Sequence, residues 1–220
     1  MTRHLLLAHG SPDPRHATFV RTLAAAVTDR GPACEVAFLE HDLPRAATWL
    51  ADVEEDVTAL GLLLAPGYHA RVDLPGLLAQ VPSAVTVTDR GVVGSGRWLH
   101  AALDEIIAAT GGTAHTPIAV VTAGSSRPEA RAHVADFVAE WAAERPGSAY
   151  AVTNLADLPL LALARPDALV VPHLVAPGVF ADRIRDQASR CGLASAAPIG
   201  TASAFVDALE ARFAESPVLR

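Results

Sequence analysis

Apolar, β-branched runs alternate along this chain with stretches of helical period. In the first half HLLLA (4–8), CEVAFL (34–39), GLLLAP (61–66) and AVTVTD (84–89) read as strands, and the periodicity predicts helices near 15–30, 45–58, 74–80 and 96–109. In the second half IAVVTA, AYAVTNL, ALVVPHLV and SAAPIG read as strands, with helices near 128–145, 178–190 and 203–214. Strands this continuously hydrophobic, separated by helices, belong to parallel sheets covered on both faces. The expected fold class is α/β, built as two tandem doubly wound parallel-sheet halves. Gly111-Gly112, short and glycine-rich between two periodic segments, reads as the linker, which places the domains at 1–112 and 113–220.

The two halves are copies. LLLAHGSPDPRHATFV near the start is echoed by AVVTAGSSRPEARAHV, so that Gly10-Ser11 aligns with Gly124-Ser125 at an offset of 114 residues. At that offset His9 falls on Ala123 and Glu40 on Asn154. Asp42-Leu43-Pro44 is echoed by Asp157-Leu158-Pro159, and Pro66-Gly67 by Pro177-Gly178, which puts His69 on Phe180. Three chemically competent side chains are thus blunted in the second copy. A duplication that kept its site in the first half and its scaffold in the second explains the pattern.

Side chains just past the carboxyl ends of parallel strands gather on one rim of a sheet. His9 follows the first expected strand, Glu40 closes the second and His69 follows the third, so the three are expected to converge. Two imidazoles and a carboxylate form a borderline-soft set suited to a divalent first-row metal, with coordination positions left open. Gly10 and Ser11 begin a turn-rich loop that enters a helix, where backbone N–H groups and the helix dipole favour an anion. Arg15, Arg71 and Arg97 follow rim loops and suit carboxylate recognition. Asp73 is read as the cap of the helix beginning at Leu74, the alternative being an acceptor that orients His69. His16 and His41 lie near enough to the rim to support it.

Composition narrows the partners. The net charge is −7, and no basic run of the kind nucleic-acid surfaces use is present. All 17 basic residues are arginine, a bias expected of a GC-rich genome. No apolar run approaches the roughly 18 residues of a membrane span. HLLLA begins directly after Met-Thr-Arg, so no signal peptide is expected and the location read from the sequence is cytoplasmic. Cys34 and Cys191 form no CxxC pair and read as buried free thiols.

Taken together, His9-Gly10-Ser11 with Asp13-Pro14, Leu39-Glu40 ahead of Pro44, Pro66-Gly67-Tyr68-His69 with Asp73-Leu74-Pro75, and the degenerate Gly124-Ser125-Ser126 and Ala176-Pro177-Gly178 resemble the sirohydrochlorin chelatase and cobaltochelatase family, the class II chelatases, in their long two-half form. The resemblance covers nearly the whole chain. It implies ATP-independent insertion of a divalent metal, Fe2+ slightly ahead of Co2+, into sirohydrochlorin or a relative, for siroheme or cobalamin biosynthesis. His9 and His69 would hold the metal, and Glu40 would be a ligand, a proton acceptor, or each in turn. Apart from the metal substrate no cofactor is implied, the expected partners are the tetrapyrrole and the ion, and the pseudo-twofold halves suggest a monomer. Pro12 stands where the family often has Arg, and the AESPVLR end carries no metal-storage tail. The alternative is a non-catalytic protein that stores or delivers metal or tetrapyrrole. Glu40 discriminates, since a carrier needs no proton acceptor.

Overall fold

The computed structural model describes residues 3–65, 67–124, 127–145 and 150–215. Pro66, Ser125 and Ser126 of the motifs above, and the tail from 216 onward, lie outside them. By internal contact the chain divides into two compact units, Met1–Gly94 with Val206–Arg220, and Ser95–Phe205.

The first unit holds the strands β1 (Arg3–Ala8), β2 (Cys34–Phe38), β3 (Val57–Gly61) and β4 (Val87–Val92), all parallel in the order β2-β1-β3-β4. Leu5, Leu6 and Leu7 of β1 are all buried, as a strand covered on both faces requires. On one face Leu5 and Leu7 pack with Ala37, Val57 and Ala59, with Ala46 and Leu50 of α2 (Ala46–Ala51), and with Leu74 at the start of α3 (Leu74–Leu78). The strand order reverses direction between β1 and β3, the switch point where open α/β sheets leave a crevice at their carboxyl edge. His9 and His69 follow those two strands. Helix α1 (Pro14–Thr28) starts cleanly: Asp13 accepts the Arg15 N–H at 3.0 Å, and Pro14 takes a first-turn position where no donor is needed.

The second unit repeats the plan with β5 (Ile118–Thr122), β6 (Tyr150–Asn154), β7 (Leu169–Pro172) and β8 (Ala194–Ser195), parallel and ordered β6-β5-β7-β8. Its helices are α4 (His100–Ala109), α5 (Pro128–Ala143), α6 (Leu158–Ala164) and α7 (Val179–Arg190). Each repeat thus contributes its last helix to the other unit. Helix α4, from the first repeat, lies in the second unit, and most of α8 (Ser203–Ala214) belongs to the first. Gly111 and Gly112 sit within the second unit, where their N–H groups close α4 on the carbonyls of Ala108 and Ile107. The sequence repeat and the contact units are therefore different partitions of the chain.

Several element boundaries differ from the sequence expectation. The third strand is Val57–Gly61 rather than 61–66, and the helix expected over 45–58 ends at Ala51. The acidic turn 52–56 ends that helix, and the Leu62 and Leu64 run, although buried, forms the loop that leads to His69. The fourth strand is Val87–Val92 instead of 84–89. At the far edge the strand is only Ala194–Ser195, so SAAPIG (195–200) supplies a single residue, and Pro198 has no N–H to donate to a ladder. Helix α6 had no sequence forecast because LPLLALA is apolar nearly throughout and carries no period. The helix expected at 74–80 is entered through a π-helical turn, His69–Asp73, closed by the Leu74 N–H on the His69 carbonyl.

Candidate metal centre

Three loops at the carboxyl edge of the first sheet build the site. Past β1, the Glu40 N–H donates to the His9 carbonyl at 2.8 Å, so the two loops stay paired beyond the strands. Gly10 adopts φ +90°, and a Cβ there would stand 1.9 Å from the Glu40 carbonyl oxygen. Only glycine fits this crossing. Gly124 holds nearly the same conformation, φ +81°, in the second unit, so the turn itself survived duplication.

The structure brings His9 and His69 together. Their rings meet edge to face with centroids 4.4 Å apart, and the two Nε2 atoms are separated by 3.1 Å. The Nδ1 atoms face away from each other. His9 Nδ1 lies 3.0 Å from the Gly10 carbonyl, and His69 Nδ1 lies 2.5 Å from Asp73 Oδ2. Both partners are acceptors, so each Nδ1 is the donor of its ring and the two Nε2 atoms are turned towards each other. Two lone pairs at that separation repel unless a proton or a cation lies between them. The π-helical turn creates this arrangement by placing His69 and Asp73 four residues apart on one face. Asp73 makes no capping bond to α3, so it orients His69 and is not the helix cap read from the sequence.

Glu40 is not brought into the imidazole pair. Its side chain is 55% exposed, and its Oε2 lies 3.5 Å from Nε2 of His41. His41 has φ 63°, a left-handed conformation that turns its ring to within 6.1 Å of the His9 ring centroid. Among the described residues no group of three or more His, Cys, Asp or Glu side chains is arranged to hold a metal ion. The Glu40 carboxylate thus approaches the centre one residue removed, through His41. His16 stands on the α1 side with its Nδ1 buried and without a partner. Burial lowers its pKa, His9 lowers it further, and the carboxylates of Asp42 and Asp13 oppose the shift.

The expected anion cradle at Gly10-Ser11 is filled by the chain itself. The Ser11 N–H donates to Asp42 Oδ2 at 3.0 Å, the Asp13 N–H to Ser11 Oγ at 3.1 Å, and the Arg15 N–H to Asp13 Oδ1. Asp42 is the residue the sequence reading passed over, and its signal was a short acidic side chain in the loop directly after Glu40. Arg15 is bound to the buried Asp13 carboxylate, with Nη2 to Oδ2 at 2.6 Å. Arg71 is exposed on the turn that carries His69 and makes no ion pair among the described residues. Arg97 lies on a single turn of 3-10 helix, Arg97–Leu99, in the second unit.

The equivalent rim of the second unit holds no imidazole at the aligned positions. Asn154 folds its amide onto Asp157 Oδ2 and accepts the Ala156 N–H, an ordinary turn. Phe180 packs against the apolar core of Ile184 and Leu158.

Residues 3–110 match the CbiX family model. The first half of the chain is thus a CbiX-family segment. No curated protein matches the sequence. Among solved structures, SirB, the sirohydrochlorin chelatase of Bacillus subtilis subspecies spizizenii in complex with cobalt, superposes with a TM-score of 0.82 at 17% identity over 96% of this chain and 93% of that one. SirB from Bacillus subtilis with Fe3+ gives 0.75 at 19% identity, covering 97% and 96%. CbiX, described as the terminal enzyme for siroheme biosynthesis in denitrifying bacteria, gives 0.69 at 21%, covering 97% of this chain and all of that one. The two-half chelatase fold therefore extends over both repeats, and the paired histidines lie in the half that carries the CbiX match. No helix among the described residues is long and apolar enough to cross a membrane.

Proposed function

We propose that this protein is a sirohydrochlorin chelatase that inserts a divalent metal into the macrocycle without ATP, Fe2+ slightly ahead of Co2+. The observation that carries the reading is the Nε2 to Nε2 distance of 3.1 Å between two histidines whose Nδ1 atoms are both committed elsewhere. A cation about 2.1 Å from each nitrogen would see them at an angle of about 95°, close to neighbouring positions of an octahedron. Only one side of the ion is then occupied, and the other stays open to the pyrrole nitrogens.

Insertion forms metal–nitrogen bonds to the macrocycle, breaks those to water and to His9 and His69, and releases two pyrrole protons. Glu40 with His41 beside it supplies an exposed acceptor next to the centre for those protons. Arg71, exposed on the His69 turn, is the arginine proposed to meet a substrate carboxylate. Arg15 acts indirectly by neutralising Asp13, and Gly10 and Ser11 shape the loop instead of receiving the ligand. The SirB and CbiX neighbours support this reading by their stated substrates and pathway.

Anaerobic sirohydrochlorin mixed with Fe2+, Co2+ and Ni2+ in turn, followed by absorption spectroscopy, tests it. Metallation should proceed with at least one ion and be abolished in His9→Ala and His69→Ala, while each variant stays folded because His9 lies on a loop and His69 is a part-exposed residue at the start of its π-helical turn, neither being part of the apolar core. Metal binding should saturate at one ion per chain, since Ala123, Asn154 and Phe180 cannot form a second centre. Tight metal or tetrapyrrole binding with no metallation would identify a carrier instead.

A further inference from the structure

The turn that carries His69 also carries an apolar strip. His69 and Asp73 stand four residues apart on it and their side chains touch, so positions at that spacing share a face. Tyr68 and Val72 have the same spacing one residue earlier, which sets them side by side on the neighbouring face. Both are exposed, Tyr68 at 52% and Val72 at 45%. Arg71, three residues after Tyr68 and also exposed, borders the strip. A single apolar side chain in water is ordinary, but two in a row beside a reactive centre point to something that covers them.

The second repeat shows the same turn without this strip. At the offset that puts His69 on Phe180, Tyr68 falls on Val179, Val72 on Arg183 and Asp73 on Ile184. Phe180 and Ile184 take the inner face and pack in the apolar core. On the outer face the ring is absent, and Val179 is followed by the exposed Arg183, whose guanidinium lies 5.9 Å over the Phe180 ring. The aromatic strip therefore goes with the imidazole pair, and the copy that lost the imidazoles carries a charge in its place.

We propose that Tyr68, with Val72 beside it, is the platform on which the macrocycle stacks, so that Tyr68 positions the ring over the metal. The inference rests on the proposed chelatase activity. The substrate is a flat conjugated ring with carboxylates at its periphery, and three features of the turn fit that chemistry. The Tyr68 and His69 ring centroids are 6.0 Å apart, well within the width of one tetrapyrrole. Tyr68 can thus lie under a peripheral pyrrole and leave the centre to the ion. The two ring planes meet at 86°. An imidazole plane contains the bond it makes to a metal, so a macrocycle lying across the His69–metal bond is perpendicular to the His69 ring. Only a side chain that is itself perpendicular to His69 can stack face to face on that macrocycle. Arg71 then stands at the edge of the ring, where a guanidinium can pair with a carboxylate.

Absorption titration of metal-free sirohydrochlorin with the full chain, run beside anaerobic steady-state metallation, tests the platform. Tyr68→Ala should weaken macrocycle binding by about 5- to 150-fold, the range for removing one aromatic that stacks on a heterocyclic base, and should raise KM for sirohydrochlorin in parallel. Calorimetric metal affinity and Tm should stay at the parent values, since the side chain is exposed. Tyr68→Phe should rescue macrocycle affinity, because the ring face makes the contact and the hydroxyl does not. Val72→Ser should give a smaller loss in the same direction. A parent that metallates sirohydrochlorin while Tyr68→Ala keeps the parent KM overturns the platform alone. A parent that neither binds nor metallates the macrocycle overturns the chelatase reading and the platform with it. Failure of Tyr68→Phe to rescue, or a fall in metal affinity that matches the loss of macrocycle binding, also overturns the platform, the latter by making Tyr68 a support for His69.

Discussion

Asp73 holds the Nδ1 of His69 at 2.5 Å across a π-helical turn, and this contact decides which nitrogen of the imidazole faces His9. Asp73→Ala should therefore free the ring and lower metal affinity about 10- to 100-fold, the usual effect of removing a partner that orients a ligand. Asp73→Asn should retain most of the affinity because its amide oxygen still accepts the proton. Calorimetric metal titration with parallel melting curves checks this. A fall in Tm with unchanged metal affinity would return Asp73 to the role of helix cap.

On the proposed reading Glu40 accepts protons rather than ligating the metal. Glu40→Gln should leave metal binding near that of the parent while slowing insertion by about 10²–10⁴-fold, the range for loss of a general base. Single-turnover absorption kinetics at saturating metal separate the two roles. If excess metal restores the rate, Glu40 is a ligand, and a variant matching the parent in both properties would place the carboxylate outside the reaction.

Gly10 and Gly124 share a left-handed backbone but not a packing environment. A Cβ at Gly10 would lie 1.9 Å from the Glu40 carbonyl, whereas one at Gly124 meets nothing within 4 Å. Gly124→Ala should cost about 1 kcal/mol from conformation alone. Gly10→Ala must also displace the Glu40 loop, and should cost several times as much and separate His9 from His41. Chemical denaturation of the two variants measures the contrast, and equal losses would show that the crossing at Gly10 is not tight.

His173 makes the second unit sensitive to acid. Its ring is buried after β7, within 2.8 Å of the Ser95 hydroxyl, and burial with the neighbouring His133 pushes its pKa down to about 4. Above pH 6.5 the imidazole is neutral in both the folded and unfolded states, so its contribution is fully present. As the pH falls from 6.5 to 4 the unfolded chain takes up a proton that the folded chain refuses, and stability declines. His133, lowered in the same direction by burial, adds to the decline. His173→Gln keeps a polar partner for Ser95 and removes the titration, so the slope of stability against pH in that window should become shallower by up to about 1.4 kcal/mol per pH unit. Urea unfolding across the window tests this, and an unchanged slope would mean that the ring titrates normally.

Much of the first repeat was legible because its information is local. Continuous apolar runs, the Asp13-Pro14 helix start and the Gly10 turn each depend on a few adjacent residues, and the duplicated Gly124 turn confirmed the plan by repeating it. The same pattern placed His9 and His69 past the strands that flank the reversal in sheet order, which is why their meeting could be anticipated. What tertiary structure decided was direction and company. Whether Asp73 caps a helix or faces His69 turns on a single π-helical turn, which no periodicity signals. Glu40 and His41 are neighbours in sequence, yet the left-handed backbone at His41 decides that the ring and not the carboxylate leans towards His9. The donors expected to receive an anion at Ser11 were claimed by Asp42, a residue 31 positions away. Chain distance hides such competition, because a backbone N–H takes whichever acceptor the fold delivers first.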